Sequence, residues 1–402
     1  MVTVQYNPFT PETHANPYPR YHQLREQDPV HWSELMEAWV LTRYDDVVAV
    51  LKDARFSADR RRARNRFAQQ AAQMQQEVGP LGQATTMLSA DPPQHTRLRG
   101  LVSKAFTPRA VEALRPRIQE IVDELLDAVD GSGQFDVIQD LAYPLPVIVI
   151  AEMLGVPPEE RARFKRWSGD VVATLGGPFA SPETFERSRT SAQELAGYFR
   201  GVIAERRREP RDDLLSALLA AEEQGQVLSE EELLATCILL LIAGNETTTN
   251  LIGNGMLALL RHPGQLEKLR SDPSLTESAV EEFLRYDGPV QATGRVALED
   301  VEVGEQVIQG GQVAFTLLGA ANRDPTRFPN PDRLDLARDD NQHVAFGYGI
   351  HYCLGAPLAR VEAQAAFPTL LRRFPKLELA TGEPEWGGNF ILRGLKRLPV
   401  AS

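Results

Sequence analysis

Apolar residues recur at intervals of three and four through most of the first 290 residues, the spacing that places them on one face of an α-helix. The stretch Arg109–Val129 shows this spacing clearly and predicts one helix. Two further helices are predicted over Pro157–Leu175 and Pro182–Arg208, because two glycines and a proline between them break the chain. The apolar face of the first predicted helix consists of Val111, Leu114, Ile118, Ile121, Val122, Leu125 and Leu126.

Strand patterns are short and few. Ala38–Leu41 is one predicted strand, and Val296–Val303 and Gln306–Thr316 are predicted to pair around Gly304 and Gly310. Helices in bulk with a small sheet indicate a mainly α fold with a minor β region. No repeat or long linker divides the sequence, so we expect a single domain over residues 1–402.

Charge and cysteine content exclude several classes of protein. Against 55 Asp and Glu stand 43 Lys and Arg, a net charge of −12, so nucleic acid and anionic membranes are not expected partners. Cys237 and Cys353 form no disulfide framework and fit a reducing compartment. Because the N-terminal residues lack a signal pattern, and the longest apolar run, Cys237–Ala243, is far shorter than the ~20 residues of a membrane span, we expect a cytoplasmic protein.

Two segments have the composition of mobile loops that could cover a binding site. Arg60–Gln83 is polar and rich in glutamine, and either a substrate lid or a solvated surface helix with a loop would give this pattern. Asn322–Leu336 contains several prolines and charged residues and is too irregular for a helix.

The strongest chemical signal is the decapeptide that ends at Gly355 and contains Cys353. A lone cysteine near glycines is most often a small buried residue. Here Gly347 and Gly349 permit a tight turn with positive φ, and Gly355 allows the backbone to approach a flat ligand closely. The helix pattern that begins at Ala356 would put the sulfur near a helix N-terminus, where backbone amides favour negative charge. These features predict a thiolate ligand without naming the metal.

This decapeptide resembles the haem-binding loop of the cytochrome P-450 family, with matching residues at Phe346, Gly347, Gly349, His351, Cys353 and Gly355. The resemblance extends from the Pro17-Tyr18-Pro19 segment to the loop near Phe390 and is greatest for the soluble bacterial branch that serves natural-product tailoring or xenobiotic oxidation. It implies a triangular helical bundle with small sheets around a buried haem b. It also implies that Cys353 is the thiolate ligand of the iron, favouring O–O cleavage, and that His351 reaches a propionate.

A second motif lies in the helix predicted from about Glu230 to Leu260. Its middle, from Ala243 to Asn250, combines a glycine with three threonines, which weaken a helix locally. A helix bend with threonine hydroxyls bonded to carbonyls one turn earlier would explain this composition. The stretch resembles the oxygen-activation groove of the family. That resemblance implies a kinked helix, with Glu246 as the acid and Thr247 as the alcohol.

The pair Glu282 and Arg285 has the i, i+3 spacing of ordinary helix-stabilising ion pairs. By resemblance it forms a buried structural network with an arginine of the irregular segment, and Arg333 is the matching position. Leu334 stands where the family commonly has phenylalanine. Both members of the pair are therefore expected to be structural.

The propionates of a buried haem need cationic or hydrogen-bonding partners. His95 and Arg99 are four residues apart in a predicted helix, a pair that alone would most often be solvated. By resemblance His95, Arg99, Arg295 and His351 form the propionate-binding set.

The resemblance implies a monooxygenase, expected to be a monomer, that inserts one oxygen atom from O2 into a hydrophobic small molecule. No reductase module is visible, so a ferredoxin and its ferredoxin reductase are the expected electron donors. A basic docking surface for the donor could consist of Arg97, Lys104, Arg109 and Arg360. Scattered, solvated charges would explain the same four residues. A peroxide-driven peroxygenase and a non-catalytic haem ligand-binding protein are the alternatives. Residues expected to line the substrate pocket by resemblance are Met87, Leu88, Leu175, Leu240, Ala243, Val290, Ala292, Thr293 and Ile391.

Overall fold

The structure, a computed structural model, describes residues 6–65, 84–174, 181–221, 225–380, 384–388 and 390–401. Helices dominate these residues, with short 3-10 turns between some of them and one π-helical turn at Val137–Ala142. The α-helices are α1 Pro11–Ala15, α2 Tyr18–Gln27, α3 Tyr44–Lys52, α4 Gln94–Ala105, α5 Pro108–Ala113, α6 Arg115–Asp127, α7 Pro144–Met153, α8 Arg161–Val172, α9 Pro182–Arg208, α10 Leu214–Ala220, α11 Glu230–Arg261, α12 Pro263–Ser271, α13 Thr276–Asp287, α14 Leu318–Ala321 and α15 Ala356–Arg373.

The strands are short and form small sheets. They are β1 Val30–Ser33, β2 Ala38–Leu41, β3 Phe56–Ser57, β4 Gln134–Asp136, β5 Ala292–Ala297, β6 Val301–Val303, β7 Gln306–Ile308, β8 Val313–Leu317, β9 Glu378–Leu379, β10 Trp386–Gly388, β11 Arg393–Leu395 and β12 Pro399–Ala401. The largest sheet has the order β1-β2-β8-β5-β3, in which only β2 and β8 are parallel. The expected α-rich fold with a minor β region is confirmed.

The strand predictions are confirmed in part. The strand Ala38–Leu41 is β2. The two longer strands expected around Gly304 and Gly310 are wrong in their bounds, because a bend separates β5 from β6 and a turn separates β7 from β8. β6 and β7 form a hairpin in which Gly304 has φ +59°, whereas Gly311, with φ +91°, makes the second turn. β5 pairs with β8 inside the five-stranded sheet.

Of the three predicted helices, one is confirmed, one is divided in two and one is shorter than expected. Pro182–Arg208 is confirmed, and the Ser181 hydroxyl caps it by accepting from the Thr184 amide. Arg109–Val129 is two helices, α5 and α6, since Pro116 lies in the first turn of α6 and lacks the N–H that would continue the preceding helix. The helix expected over Pro157–Leu175 is the shorter α8.

The long helix α11 runs through the core. It begins with a capping box, in which the Ser229 hydroxyl accepts from the Glu232 amide and the Glu232 side chain accepts from the Ser229 amide. It packs against α7, α13 and α15 and is buried along most of its length, as expected for a helix that is apolar on nearly every face. The helix is continuous over 32 residues, so no break interrupts it at the position of the expected kink.

Glu282 and Arg285 form a buried ion pair whose side chains are both 0% exposed. Arg285 donates from Nε to Glu282 Oε2 at 2.7 Å and from Nη2 to Oε1 at 2.9 Å. The remaining Arg285 protons bind the backbone carbonyls of Asn322, Pro331 and Arg333. The pair therefore fixes α13 to the irregular segment.

The expectation that the Arg333 side chain joins this network is wrong, because that side chain is exposed. Arg333 contributes only its backbone carbonyl, which accepts from Arg285. Arg338 is the second arginine, and its Nε donates to Glu282 Oε2 at 3.1 Å. The amide of Asp335 and the side chain of Asn341 also donate to this carboxylate. Since the segment lacks regular structure, residue spacing does not determine which of its side chains points inward.

None of the helices in the described residues is both long and apolar enough to cross a membrane.

Replacing Glu282 by alanine should reduce the free energy of unfolding by ~3–5 kcal/mol, because Arg285 is left buried without a counter-charge. Arg338→Ala should cost less, since Glu282 keeps Arg285. Chemical denaturation of the purified variants measures both. The matched control is Arg333→Ala, whose free energy of unfolding should stay within ~0.5 kcal/mol of that of the parent. A large loss of stability in this control would show that the Arg333 side chain does belong to the network.

Candidate active site

The cysteine loop from Phe346 to Gly355 is a tight turn held by backbone contacts. The Cys353 amide donates to the Phe346 carbonyl at 3.0 Å. Gly347 and Gly349 have φ of +75° and +71°, as the sequence predicts. A side chain at Gly349 would place its Cβ 2.7 Å from the Leu51 carbonyl oxygen, so this glycine also permits the loop to pack against α3.

The sulfur of Cys353 lies directly before the N-terminus of α15, whose N-cap is Gly355. Burial raises the pKa of the Cys353 thiol, while the amides of Gly355 and Ala356 and the positive charge of Arg99 oppose that rise. The Cys353 side chain is nonetheless exposed. A sulfur in this setting is suited to a metal, which would displace the thiol proton that burial retains.

Histidine and arginine side chains from separate elements meet near Cys353. The rings of His95, on α4, and His351 are 4.4 Å apart. The His95 Nε2 atom is buried and has no hydrogen-bond partner in the part of the chain that the structure describes. Burial, followed by the charge of Arg295, lowers the pKa of His351 to about 4. Burial likewise lowers the pKa of Arg295 to about 10 and that of Arg99 below its ordinary value.

These side chains suit an anionic ligand. Buried positive charge is stable only when it is paired or hydrogen-bonded. Arg295 uses its Nη1 for the Gly294 carbonyl and the Thr293 hydroxyl, at 2.9 and 3.2 Å, and neither partner carries a charge. Two haem propionates would provide the missing negative charge, so the residues present fit a haem with its iron toward Cys353.

The acid and alcohol predicted on α11 occupy adjacent positions. Burial raises the pKa of Glu246, and the polar side chain of Asn250 opposes that rise. The Thr247 hydroxyl donates to the Ala243 carbonyl at 2.9 Å. A threonine hydroxyl bonded to a carbonyl one turn earlier is the arrangement that would explain the composition of this segment without any catalytic role. The bond forms here without interrupting the helix. The Thr247 oxygen retains lone pairs to accept a further hydrogen bond.

The residues expected at the substrate pocket are only partly brought together. Leu240, Ala243 and Thr247 share one face of α11 by their spacing. The Gln291 amide donates to the Ile391 carbonyl at 2.7 Å, which places Val290 and Ile391 in adjacent segments.

Other predicted pocket residues are placed differently. Met87 is half-buried against the main core, whereas Leu88 is 64% exposed. Ala292 is fully buried in the apolar cluster on the other face of β5 from Thr293, because side chains alternate along a strand. Leu175 lies outside the described residues, as does most of the Arg60–Gln83 segment.

The four basic residues expected to receive a redox partner do not form one unpaired patch. Arg97 is paired with Glu232, and Arg360 makes two bonds to Glu281, at 2.6 and 2.8 Å. Lys104 and Arg109 are exposed.

Sequence reasoning missed a group that supports the cysteine loop. Glu281 binds both Arg360 and His343, and these two bonds outweigh burial and lower the pKa of Glu281 to about 2. The Arg360 guanidinium lies 4.6 Å from the centre of the Phe346 ring. The partners are 62 and 79 residues from Glu281, so no local pattern could have joined them.

A mainly helical scaffold with a cysteine before a helix N-terminus, and with cations gathered beside it, is typical of haem-thiolate proteins. A sequence model described as Cytochrome P450 matches residues 12–386. The chain belongs to the cytochrome P450 family.

Individual relatives agree. The polyketide biosynthesis cytochrome P450 PksS of Bacillus subtilis is 42% identical over 100% of this chain and 99% of the relative, and its structure superposes with a TM-score of 0.91 over 99% of both chains. The cytochrome P450 monooxygenase PikC of Streptomyces venezuelae is 45% identical over 96% of this chain and 91% of the relative. The structure of P450BioI, in complex with an acyl carrier protein ligated to hexadec-9Z-enoic acid, has a TM-score of 0.89 at 42% identity, over 97% of this chain and 99% of that chain. The protein is thus a monooxygenase that uses haem b.

The raised pKa of Glu246 gives a testable dependence of stability on pH. Its ordinary value is 4.5, and burial favours the protonated form. The stability that protonation provides is complete below the unfolded pKa and is lost as pH rises through the folded pKa. Glu246→Gln removes this loss, so the Tm of the variant relative to the parent should rise between about pH 4 and pH 7. Scanning calorimetry across this range measures the difference. A constant difference would mean that Glu246 is solvated.

Proposed function

We propose that this enzyme, as one domain spanning residues 1–402, inserts an oxygen atom from O2 into a hydrophobic small molecule, by C–H hydroxylation or epoxidation, with electrons from a separate ferredoxin and ferredoxin reductase. The observation that carries the proposal is the adjacent acid and alcohol on α11, with Glu246 held toward its protonated form by burial. A buried carboxyl that retains its proton is suited to proton delivery.

On the other side of the site, Cys353 is the thiolate ligand. When bound, the haem activates dioxygen and performs the oxidation. The amides of Gly355 and Ala356 point toward the sulfur and stabilise its negative charge. His95, Arg99, Arg295 and His351 hold the propionates and fix the orientation of the cofactor. Phe346, Gly347 and Gly355 shape the loop around the sulfur.

The protons move through residues of α11. The Glu246 carboxyl is the acid that supplies a proton from Oε, since burial favours its protonated form. Thr247 Oγ1, whose own proton is directed to the Ala243 carbonyl, has lone pairs that can accept a hydrogen bond from the proton source. The hydroxyl thereby positions the proton source.

The substrate is hydrophobic. Leu240, Ala243, Val290 and Ile391 provide a mostly apolar lining, with Thr293 as a polar contact. The relatives support this class, since one is named for polyketide biosynthesis and another structure contains a fatty-acyl carrier protein.

The electron donors are separate acidic proteins. Lys104 and Arg109 are exposed near the junction of α4 and α5, where they give a positive surface for such a partner.

Replacing Cys353 by histidine should abolish the far-red-shifted Soret band of the reduced, carbon monoxide-bound protein, because that band requires a sulfur ligand. Cys237→Ser should retain it, since Cys237 is fully buried within α11. Absorption spectra of the two variants measure the ligand directly. Loss of the band in Cys237→Ser, or its survival in Cys353→His, would contradict the assignment.

Thr247→Ala should leave substrate binding intact and lower the ratio of product formed to NADPH consumed, with hydrogen peroxide released instead. The reason is that the variant lacks the hydroxyl that positions the proton. Product, NADPH and peroxide are measured with a surrogate ferredoxin and its reductase.

Thr248→Ala is the matched control, because Thr248 is buried and should affect coupling little. If only Thr248→Ala is uncoupled, the alcohol is one residue further along; if both variants stay coupled, the proton route is wrong. Turnover by the parent with hydrogen peroxide alone, and none with NADPH and ferredoxin, would indicate a peroxygenase. No turnover with either would indicate a ligand-binding protein.

A further inference from the structure

The Arg360 side chain, on α15, contacts the cysteine loop at two points. Its guanidinium lies 4.6 Å from the centre of the Phe346 ring, at the start of the loop. Its Nη1 atom lies 3.4 Å from the hydroxyl oxygen of Tyr352, the residue directly before Cys353. Because the Cys353 amide donates to the Phe346 carbonyl, these two contacts fall close to the two ends of one hydrogen-bonded turn.

The orientation of Arg360 is set by Glu281 on α13. Arg360 donates from Nε to Glu281 Oε1 at 2.6 Å and from Nη2 to Oε2 at 2.8 Å. Two parallel bonds of this kind hold the planar guanidinium in one orientation. The two side chains are 27% and 28% exposed, so the pair is partly shielded from water. A carboxylate on another helix therefore determines how Arg360 meets the loop.

Glu281 also restrains the chain just before the loop, through His343. The Ala345 amide donates to Nδ1 of His343 at 3.2 Å, so Nδ1 carries no proton and the ring proton is on Nε2. Nε2 in turn donates to Glu281 Oε2 at 3.1 Å. The ring needs no charge to make both bonds, and the side chain is only 3% exposed. One carboxylate thus holds the chain ahead of the loop and, through Arg360, the loop itself.

We propose that Glu281 is a positioning residue for the sulfur ligand: through Arg360 and His343 it holds the loop closed around Cys353 and keeps the sulfur in place for the haem iron. Glu281 acts through these two side chains rather than on the reacting atoms. The inference rests on the assignment of Cys353 as the iron ligand, proposed above. Glu282, the next residue of α13, binds the irregular segment instead, so the two neighbouring carboxylates serve different parts of the chain.

The test follows the far-red-shifted Soret band of the haem-loaded protein, reduced and bound to carbon monoxide, in urea too dilute to change the far-UV circular dichroism. Glu281→Gln keeps the size of the side chain but removes the charge that strengthens its bonds to Arg360. The band should disappear roughly ten- to hundredfold faster than in the parent, while the circular dichroism stays the same. Glu281→Asp, which keeps the charge, should restore part of the lifetime of the band.

Arg360→Lys separates position from charge. Lysine keeps the positive charge but cannot form the two parallel hydrogen bonds or lie flat against Phe346. The variant should therefore lose the band about as fast as Glu281→Gln. The double variant should be no faster than the faster single variant, since the two side chains act as one unit. An Arg360→Lys rate equal to that of the parent would overturn the proposal, because charge alone would then be sufficient.

Arg373→Gln is the matched control. Arg373 lies at the other end of α15, is 21% exposed and is ion-paired with Asp127. The change removes an ion pair of the same helix without touching the loop, so the rate of band loss should stay that of the parent. Equal acceleration in Arg373→Gln would mean that Glu281 merely stabilises the fold. Loss of the band in Glu281→Gln only in step with the circular dichroism would mean the same.

Failure of the proposed function has a different signature. If the parent itself lacks the far-red-shifted band, Cys353 is not the ligand and the positioning role fails with that assignment. If the parent shows the band but forms no oxygenated product, the monooxygenase function is wrong and the positioning role stands. If product forms and Glu281→Gln keeps the band as long as the parent does, only the inference about Glu281 is wrong.

Discussion

A single cysteine sulfur must be kept away from water and still be able to carry negative charge, and much of the described structure serves that requirement. The sulfur sits before α15, where two backbone amides oppose the effect of burial. Gly349 lets the loop contact Leu51 of α3. Arg360 lies against Phe346 while bound to Glu281, so the loop, α13 and α15 are joined through one carboxylate. Each contact restricts the loop from a different element.

Burial has opposite consequences for the charged groups on the two sides of the proposed haem site, the side near the cysteine loop and the side formed by α11. Near the loop, Arg99 and Arg295 retain positive charge that burial disfavours, and an anionic cofactor relieves this cost. On α11, burial favours the neutral form of Glu246. The same low-polarity interior thus favours anion binding on one side and proton retention on the other.

Local patterns predicted those parts of the molecule that neighbouring residues determine. The helix α9, the strand β2 and the positive φ of Gly347 follow from capping, alternation and turn chemistry within a few residues. The roles that depend on distant segments were harder to predict. Arg338 rather than Arg333 reaches Glu282, because an irregular backbone has no periodicity that fixes side-chain direction. Ala292 and Thr293 lie on opposite faces of β5 because side chains alternate along a strand, and only the packing of the sheet decides which of the two faces the core.

The ion network around Glu282 has a consequence for how the chain is made. Glu282 accepts from Arg285 on its own helix, whereas its other donors, Asp335, Arg338 and Asn341, follow 53, 56 and 59 residues later. When the ribosome has just completed α13, this carboxylate has Arg285 as a partner, but its other donors do not yet exist. That helix end has to stay hydrated until the irregular segment emerges. Since the cysteine loop begins only after Asn341, the cofactor pocket cannot be completed before the donors to Glu282 have been synthesised, and haem capture has to follow them.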